Sequence, residues 1–312
     1  MSEMDLPLRC TFFPLGYAVE IVTNDAGVLE AAQESFGHRE PLRGCAVPAI
    51  RVGAQPGNSL GTPPEPTRRQ YNHLYSLVAD GDHQALLDLR SCTSFVWVTE
   101  AAVRNRLYFR YNFLEKVVYL LLGASVVTDL HAACVSRNAH GVLLFGDSGA
   151  GKSTLAYACA RAGWTYTSDD TSYLINNSAV PRVIGHAHRA RFRPSARELF
   201  PELAVRPLTQ RLEGKPSIEV PIAELPVRST SAETAVHSIV YLRRHPEIRT
   251  QLIPLPPGSA TVRACGELYS AGEIRAMHAG ILRVLADVPT YELHFCDLNE
   301  GIEALETLTR RA

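Results

Sequence analysis

The stretch GVLLFGDSGAGKS, residues 141–153, contains an apolar run, a glycine-rich turn and the start of a helical pattern. Residues 142–145 are typical of a short buried strand, and residues 153–162 form a helical pattern rich in alanine and leucine. Gly163 follows this pattern, and glycine ends helices at low cost. The stretch therefore predicts a strand, a tight turn and a helix in succession.

The turn matches the pattern G-x-x-x-x-G-K-[S/T] of a phosphate-binding loop. Its glycines let backbone N–H groups turn inward to form an anion site, and the helix start adds partial positive charge. Lys152 is expected to reach the β- and γ-phosphates, and the Ser153 hydroxyl to bind Mg²⁺. The predicted nucleotide-binding residues are Gly146, Asp147, Ser148, Gly149, Ala150, Gly151, Lys152, Ser153 and Thr154.

Composition and charge exclude several classes of partner. The chain has 312 residues and a formal net charge of −1, so no global field attracts nucleic acid or an acidic membrane. The longest apolar stretch, residues 117–127, is too short to span a bilayer. Seven cysteines without a C-x-x-C pair favour reduced thiols over a zinc site or a disulfide framework. We therefore expect a cytoplasmic protein that binds neither nucleic acid nor membrane.

The patterns divide the chain into two predicted domains. Residues 1–115 carry several short strand patterns around a Pro- and Gly-rich loop at 53–67, which predicts a smaller mixed, β-rich domain of unknown role. Within it, residues 106–111 alternate arginine, leucine and aromatic side chains and are predicted to form a strand. Residues 116–312 contain the phosphate-binding motif and are predicted to form the nucleotide-binding domain.

Hairpin patterns flank the glycine-rich turn. Residues 130–135 and 141–145 are strand patterns joined by a turn at 136–140, and residues 171–175 and 181–184 form a second pair. A hairpin directly before a phosphate-binding loop is unusual, because ordinary P-loop proteins alternate strand and helix in a parallel sheet. The sequence therefore predicts a mixed α/β fold that contains antiparallel hairpins.

These motifs together resemble the catalytic domain of the HPr kinase/phosphorylase family. His131 precedes Gly146 by 15 positions and Asp169 follows Lys152 by 17, which are the family's spacings. The resemblance covers about residues 128–175. It implies a phosphoenolpyruvate-carboxykinase-like nucleotide fold with a mixed sheet. It also implies that the γ-phosphate of ATP is transferred to a serine hydroxyl with the help of Mg²⁺.

The resemblance also implies roles for site residues. Asp169 matches the family's general base, which accepts the substrate hydroxyl proton, and Asp170 would support the metal or a water. His131 matches the family's active-site histidine, thought to adjust the protonation of the carboxylate. Adjacent side chains on a strand point to opposite faces, so only one aspartate should face the phosphate unless the strand ends there. The predicted catalytic residues are Asp169, Asp170, His131 and Lys152, and the predicted metal ligands are Ser153 and Asp170.

The sequence also departs from the family. Thr154 stands where the family has a glutamate, and residues 189–203 replace the stretch tied to phosphorylase activity. We therefore expect kinase activity without phosphorolysis, on an acceptor other than HPr: an unknown protein or a small hydroxylated molecule. Arg189, Arg191 and Arg193 alternate, so an extended segment would place them on one face. They would clamp phosphates or an anionic acceptor, or else form a solvated face.

Three functions stay open at this point: an ATP-dependent serine kinase, an ATP-binding regulatory switch with negligible turnover, and a carboxykinase-like enzyme. The aspartate pair favours the kinase, because a switch has no need of a base at Asp169. A carboxykinase would need a second metal site with His and Lys ligands, which the sequence does not reveal. Lys215 and Glu219 follow Gly214 in a loop, where surface placement is the favoured interpretation and a transition-state cation and a second metal ligand are the alternative roles. Relatives of the family form rings, so a homo-oligomer is one alternative for the assembly.

Overall fold

The computed structural model describes residues 4–37, 41–42, 49–57, 63–209, 216–244, 249–268 and 270–310. The chain divides into two compact units, Met1–Val127 with Ser270–Ala276, and Thr128–Tyr269 with Met277–Ala312. The domain boundary predicted after residue 115 stays a prediction.

The first unit is built on a mixed sheet, which in the described residues has seven strands. The strands are β1 (Leu8–Phe12), β2 (Val19–Thr23), β3 (Ala49–Gln55), β4 (Thr67–Tyr71), β5 (Leu74–Val78), β6 (Gln84–Asp88) and β7 (Thr93–Thr99). The helices are α1 (Ala26–Phe36), α2 (Glu100–Arg104), α3 (Arg106–Phe109) and α4 (Glu115–Ser125). The sheet order is β1-β2-β3-β7-β6-β5-β4, with β2, β3 and β7 parallel and the other pairs antiparallel.

The strand predicted at residues 106–111 is wrong, because this segment is helical. It forms α3 and the start of a π-helical turn, Arg110–Leu114. The Asn105 side chain caps α3 by accepting a hydrogen bond from the Tyr108 N–H. Tyr108 and Phe109 are consecutive and both buried. A strand would point them to opposite faces, whereas successive helix residues lie about 100° apart, so one broad apolar face of a helix can bury both.

The second unit is built on a larger mixed sheet and a two-stranded sheet. Its strands are β8 (Val127–Leu130), β9 (Ala133–Arg137), β10 (His140–Phe145), β11 (Thr165–Ser168), β12 (Ser172–Ile175), β13 (Arg182–Gly185), β14 (Arg189–Phe192), β15 (Ile218–Pro221), β16 (Ser229–Thr230), β17 (Glu233–Arg244), β18 (Gln251–Pro254) and β19 (Thr290–Phe295). The helices are α5 (Lys152–Arg161), α6 (Ser259–Gly266), α7 (Gly272–Ile281, whose first residues belong to the first unit) and α8 (Leu298–Thr309).

The predicted mixed α/β class with antiparallel hairpins is confirmed in this unit. The larger sheet has the order β16-β11-β9-β10-β17-β13-β12-β8, and β19 pairs with both β17 and β18. The hairpins β9–β10 and β12–β13 are antiparallel, whereas β10, β17 and β19 run parallel. Strands β14 and β15 form the separate two-stranded sheet. No helix within the described ranges is both long and apolar enough to cross a membrane.

Apolar cores cover both faces of the larger sheet. Leu144 of β10 packs in the core that contains Leu155 of α5, whereas Leu143 and Phe145 pack in a second core with Ala260 of α6. The division follows from the strand itself, since successive side chains point to opposite faces. The end of β10, where the glycine-rich turn begins, therefore lies between two packed layers.

A close approach at Gly185 gives a test of this packing. A Cβ added there would lie 2.1 Å from the carbonyl oxygen of Thr167 on β11. Because overpacking of this kind costs about 1–3 kcal/mol, we expect Gly185→Ala to lower the free energy of unfolding by about 2 kcal/mol in urea denaturation. Gly280→Ala on α7, where an added Cβ meets no atom of the described chain within 4 Å, is the control and should not destabilise. Equal urea midpoints for Gly185→Ala and the wild type would contradict the expectation.

Candidate active site

The glycine-rich turn (residues 146–151) joins the end of β10 to the start of α5. Gly146, Gly149 and Gly151 have φ angles of 150°, 92° and 97°, a region that side chains with a Cβ rarely adopt. Gly151 is the N-cap residue of α5, so Lys152 opens the helix. The structure thus has the predicted strand, turn and helix in this order.

Lys152 and Ser153 are held by backbone carbonyl groups. The buried Lys152 ammonium donates hydrogen bonds to the carbonyl oxygens of Gly146 at 2.6 Å and Asp147 at 3.5 Å. Burial lowers the pKa of Lys152, and the negative charge of Asp170 opposes this effect. The Ser153 hydroxyl donates to the carbonyl oxygen of Asp169 at 3.1 Å. The start of α5 is therefore tied directly to the aspartate pair after β11.

The two aspartates have different surroundings. Strand β11 ends at Ser168, and the chain turns directly after it. Asp169 is buried, with 7% of its surface exposed, and its Oδ2 accepts a hydrogen bond of 2.6 Å from the Arg191 N–H on β14. Asp170 has a side chain that is 44% exposed and that lies 3.5 Å from the Nδ1 of His131. The Asp169 carboxylate is thus buried and hydrogen-bonded to the backbone, whereas the Asp170 carboxylate is accessible to solvent.

A cavity of about 290 Å³, called the loop cavity below, opens beside the glycine-rich turn. Its lining includes the predicted site residues His131, Ser148, Gly149, Gly151, Lys152, Ser153, Thr154 and Asp170. The remaining lining residues are Arg193, Ser195, Ala196, Glu198, Leu199 and Arg244. Asp169 is not part of the lining. The base role predicted for Asp169 stays a prediction, and the geometry favours Asp170 for it.

Predicted loop residues also line a second cavity of about 340 Å³. Gly146 and Asp147 face this side, together with Arg243, Arg263 and Glu267. Asp147 accepts a hydrogen bond of 3.0 Å from Arg243, which fixes the first part of the loop to the end of β17. Ala150, the remaining predicted contact, packs against the apolar core beside α5 instead of lining either cavity.

His131 lies in a bend between β8 and β9. The sequence predicted one continuous strand over 130–135, and the break is what turns the imidazole toward Asp170. Burial and the nearby Lys152 ammonium lower the pKa of His131, although the carboxylate of Asp170 opposes them. The imidazole is therefore neutral at pH 7, so it can donate one hydrogen bond and accept another.

The donors at the loop cavity fit a Mg²⁺ ion. The hydroxyl of Ser153 and the carboxylate of Asp170 are hard oxygen ligands, which Mg²⁺ prefers, and it usually completes its shell with water and nucleotide phosphates. No cluster of three or more His, Cys, Asp or Glu side chains in the described ranges forms a protein cage for a metal. A magnesium held partly by phosphates does not need such a cage.

The three alternating arginines do not stay on one face. Arg189 and Arg191 lie 3.5 Å and 3.2 Å from carboxylate oxygens of Glu219 on β15, and Arg193 turns to the loop cavity. Glu219, a candidate metal ligand, is thus an ion-pair partner of two arginines. Lys215, the candidate transition-state cation, lies outside the described residues.

Sequence reasoning missed five charged side chains of the two cavities: Glu198, Arg263, Glu267 and the adjacent pair Arg243 and Arg244. Arg243 and Arg244 are the last two residues of β17, which the sequence predicted as an apolar, β-branched strand. A pair of arginines at the end of such a strand is the sequence feature that could have indicated them. Burial raises the pKa of Glu267, and the Lys152 ammonium opposes this shift. Glu267 follows α6, far from the motif in sequence, and no local pattern marks it.

Comparisons with known proteins give little further guidance. The sequence matches no protein-family model and no curated protein. Among solved structures, the Hpr(Ser) kinase/phosphatase from Coxiella burnetii is similar, with 17% identity over 59% of this chain and 95% of that chain and a TM-score of 0.30. At this identity and TM-score the likeness is distant.

The buried Asp169 carboxyl predicts a pH-dependent stability. Burial raises its pKa from 3.8 to about 6, more than the Arg191 N–H lowers it. Between about pH 4 and 6 the folded state keeps a proton that the unfolded state has lost, so this group's contribution to stability falls as the pH rises. The loss is complete above the folded pKa and amounts to about 2–3 kcal/mol, at about 1.4 kcal/mol per pKa unit.

Asp169→Asn removes this titration and keeps an oxygen that can accept the Arg191 N–H. We therefore expect the stability of the variant relative to the wild type to increase by about 2–3 kcal/mol from pH 4 to pH 7 in urea denaturation. The exposed Asp287 provides the matched control, Asp287→Asn, which changes the charge without changing a buried group. A stability difference for Asp169→Asn that does not vary with pH would contradict the burial argument.

Proposed function

We propose that the chain is an ATP- and Mg²⁺-dependent kinase of the HPr-kinase-like type, which transfers the γ-phosphate to a hydroxyl group of a protein or a small molecule. The observation that carries this proposal is the placement of Asp170 and His131 in the same cavity as Lys152 and Ser153. Phosphoryl transfer needs charge neutralisation and an oriented hydroxyl, and these two pairs of residues supply one requirement each.

In this proposal the glycine-rich turn and the first residues of α5 bind the nucleotide. In the proposal the backbone N–H groups of the turn hold the phosphates, and Lys152 exchanges the carbonyl oxygens of Gly146 and Asp147 for phosphate oxygens. The Ser153 hydroxyl and the Asp170 carboxylate would hold Mg²⁺, which would neutralise part of the phosphate charge. The low exposure of Lys152 strengthens its attraction to the phosphates, because less water screens the charges.

Asp170 is the proposed general base. Its carboxylate accepts the proton of the acceptor hydroxyl as the oxygen bonds to the γ-phosphorus and the bond to the ADP oxygen breaks. The neutral His131 at 3.5 Å orients this carboxylate without neutralising its charge. Asp169 has a positioning role, because its carboxylate already accepts a hydrogen bond from the Arg191 N–H on β14. The exposed side of Asp170 is where the acceptor hydroxyl enters.

Lys152→Ala tests nucleotide binding. Because the variant removes the buried cation that faces the phosphates, we expect the affinity for ATP–Mg²⁺ to fall by at least about tenfold and turnover to fall to background. Affinity is measured by calorimetric titration and turnover by ADP release. Unchanged affinity together with unchanged turnover would contradict the phosphate-loop assignment. The exposed Arg310→Ala on the last turn of the chain is a control for loss of one positive charge.

Asp170→Asn separates catalysis from nucleotide capture. We expect ATP still to bind, because the turn and Lys152 hold its phosphates, and ADP release to fall by about 10²–10⁴-fold, because the amide cannot accept the proton. The acceptors to be tried are HPr, free serine and a cell extract. Full turnover in Asp170→Asn with loss in Asp169→Asn would return the base role to Asp169. Tight nucleotide binding by the wild type with background ADP release on every acceptor would instead identify a regulatory switch.

A further inference from the structure

Arg193 points into the loop cavity without an acidic partner. Its guanidinium donates a hydrogen bond of 2.9 Å to the Ser148 hydroxyl in the glycine-rich turn. Within the described parts of the chain, no carboxylate lies within ion-pair distance of it. The charge of Arg193 also helps to lower the pKa of Lys152, so the two cations are close enough to repel each other. Asp170 and Glu198 also line this cavity, but neither forms an ion pair with Arg193, so its guanidinium is available to an anion bound there.

The local fold explains why Arg193 differs from its two neighbours in the pattern. Strand β14 pairs with β15, and the register places Arg191 opposite Glu219. The strand ends at Phe192, and Pro194 then opens a 3-10 helix, Pro194–Glu198. Arg193 therefore lies after the last strand residue and leaves the face that Glu219 neutralises.

A second arginine reaches the same cavity from the other side of the turn. Arg243 and Arg244 are adjacent at the end of β17, so their side chains point to opposite faces of the sheet. Arg243 contacts Asp147 and Glu292 and is thereby neutralised. Arg244 lines the loop cavity and makes no ion pair with any residue that the structure describes. The cavity therefore receives two guanidinium groups from two different strands.

We propose that Arg193 and Arg244 form an arginine clamp on the transferring γ-phosphoryl group, supplied by the same chain that binds the nucleotide. The inference rests on the proposed kinase function and adds the groups that stabilise its transition state. Planar guanidinium groups match phosphate oxygens in geometry, and an arginine that contacts a transferring phosphoryl group raises kcat by about 10³–10⁵-fold. Lys152, Mg²⁺ and the two arginines then surround the developing charge.

The position of Arg193 selects the terminal phosphate over the other two. The backbone of a phosphate-binding loop holds the α- and β-phosphates, and its lysine reaches the β- and γ-phosphates. Arg193 lies against Ser148 in that loop and lines the same cavity as Lys152. Asp170, the proposed general base for the acceptor hydroxyl, lines the same cavity. The group enclosed by Arg193, Lys152 and Asp170 is therefore the phosphate that is transferred.

The test compares ATP with ADP in Arg193→Gln, Arg193→Lys and Arg244→Gln, with Mg²⁺ present. We expect ADP affinity within about threefold of the wild type and ATP affinity lowered by about tenfold in both glutamine variants. Turnover should fall by about 10²–10³-fold, and Arg193→Lys should recover only part of it, because an ammonium cannot form the bidentate contact. Arg206→Gln, which removes a guanidinium paired with Glu224 outside the cavity, is the matched control.

Each outcome decides the proposal. A selective loss of ATP affinity supports the clamp even if the wild type turns over no acceptor, in which case only the kinase function fails. Equal loss of ATP and ADP affinity, or unchanged affinity with unchanged turnover, overturns the clamp while the kinase function stands on Lys152 and Asp170. Urea midpoints show whether each variant is folded. Recovery of Arg193→Ala turnover by millimolar guanidinium ions supports a direct contact with phosphate, and a purely structural role would not give it.

Discussion

The site depends on the two connections that Asp169 makes. Its carbonyl oxygen accepts a hydrogen bond from the Ser153 hydroxyl at the start of α5. Its buried carboxylate accepts a hydrogen bond of 2.6 Å from the Arg191 N–H on β14. Asp169 thus joins the helix that follows the glycine-rich turn to the strand that precedes Arg193. Burying this carboxyl raises its pKa to about 6, so the connection carries a cost in stability at neutral pH. That cost is consistent with a site that is positioned for function and not for maximal stability.

The charges around the turn are divided by the sheet. On one face, Arg243 forms ion pairs with Asp147 of the loop and with Glu292 of β19. On the other face, Lys152, Arg193 and Arg244 line the loop cavity together with the carboxylates of Asp170 and Glu198, and no carboxylate in the described ranges lies within ion-pair distance of these three cations. A positive surplus on one side only favours binding of a polyanion on that side. Strand alternation at the end of β17 therefore decides that Arg244, and not Arg243, lies on the side with the positive surplus.

The sequence could predict what local patterns determine. The glycine spacing of residues 146–153 and the two hairpins are short-range features, and the structure has them at nearly the predicted positions. Which aspartate faces the cavity could not be predicted, because the choice depends on β14, 22 residues after Asp169. The separation of Arg193 from Arg189 and Arg191 is likewise set by Glu219, which reaches them only through strand pairing. Tertiary contacts decide such orientations, and propensity does not encode them.

The hairpin before the turn explains how His131 reaches the site. Strand β9 lies between β10 and β11 in the sheet and is antiparallel to both. Strands β10, β11 and β17 therefore end at one edge of the sheet, where they deliver the turn, Asp170 and Arg244. The reversed β9 begins at this same edge, so the residues just before it, including His131, lie beside Asp170. A parallel strand in its place would begin at the opposite edge and leave the carboxylate without its histidine, because strand direction decides which end meets the loop.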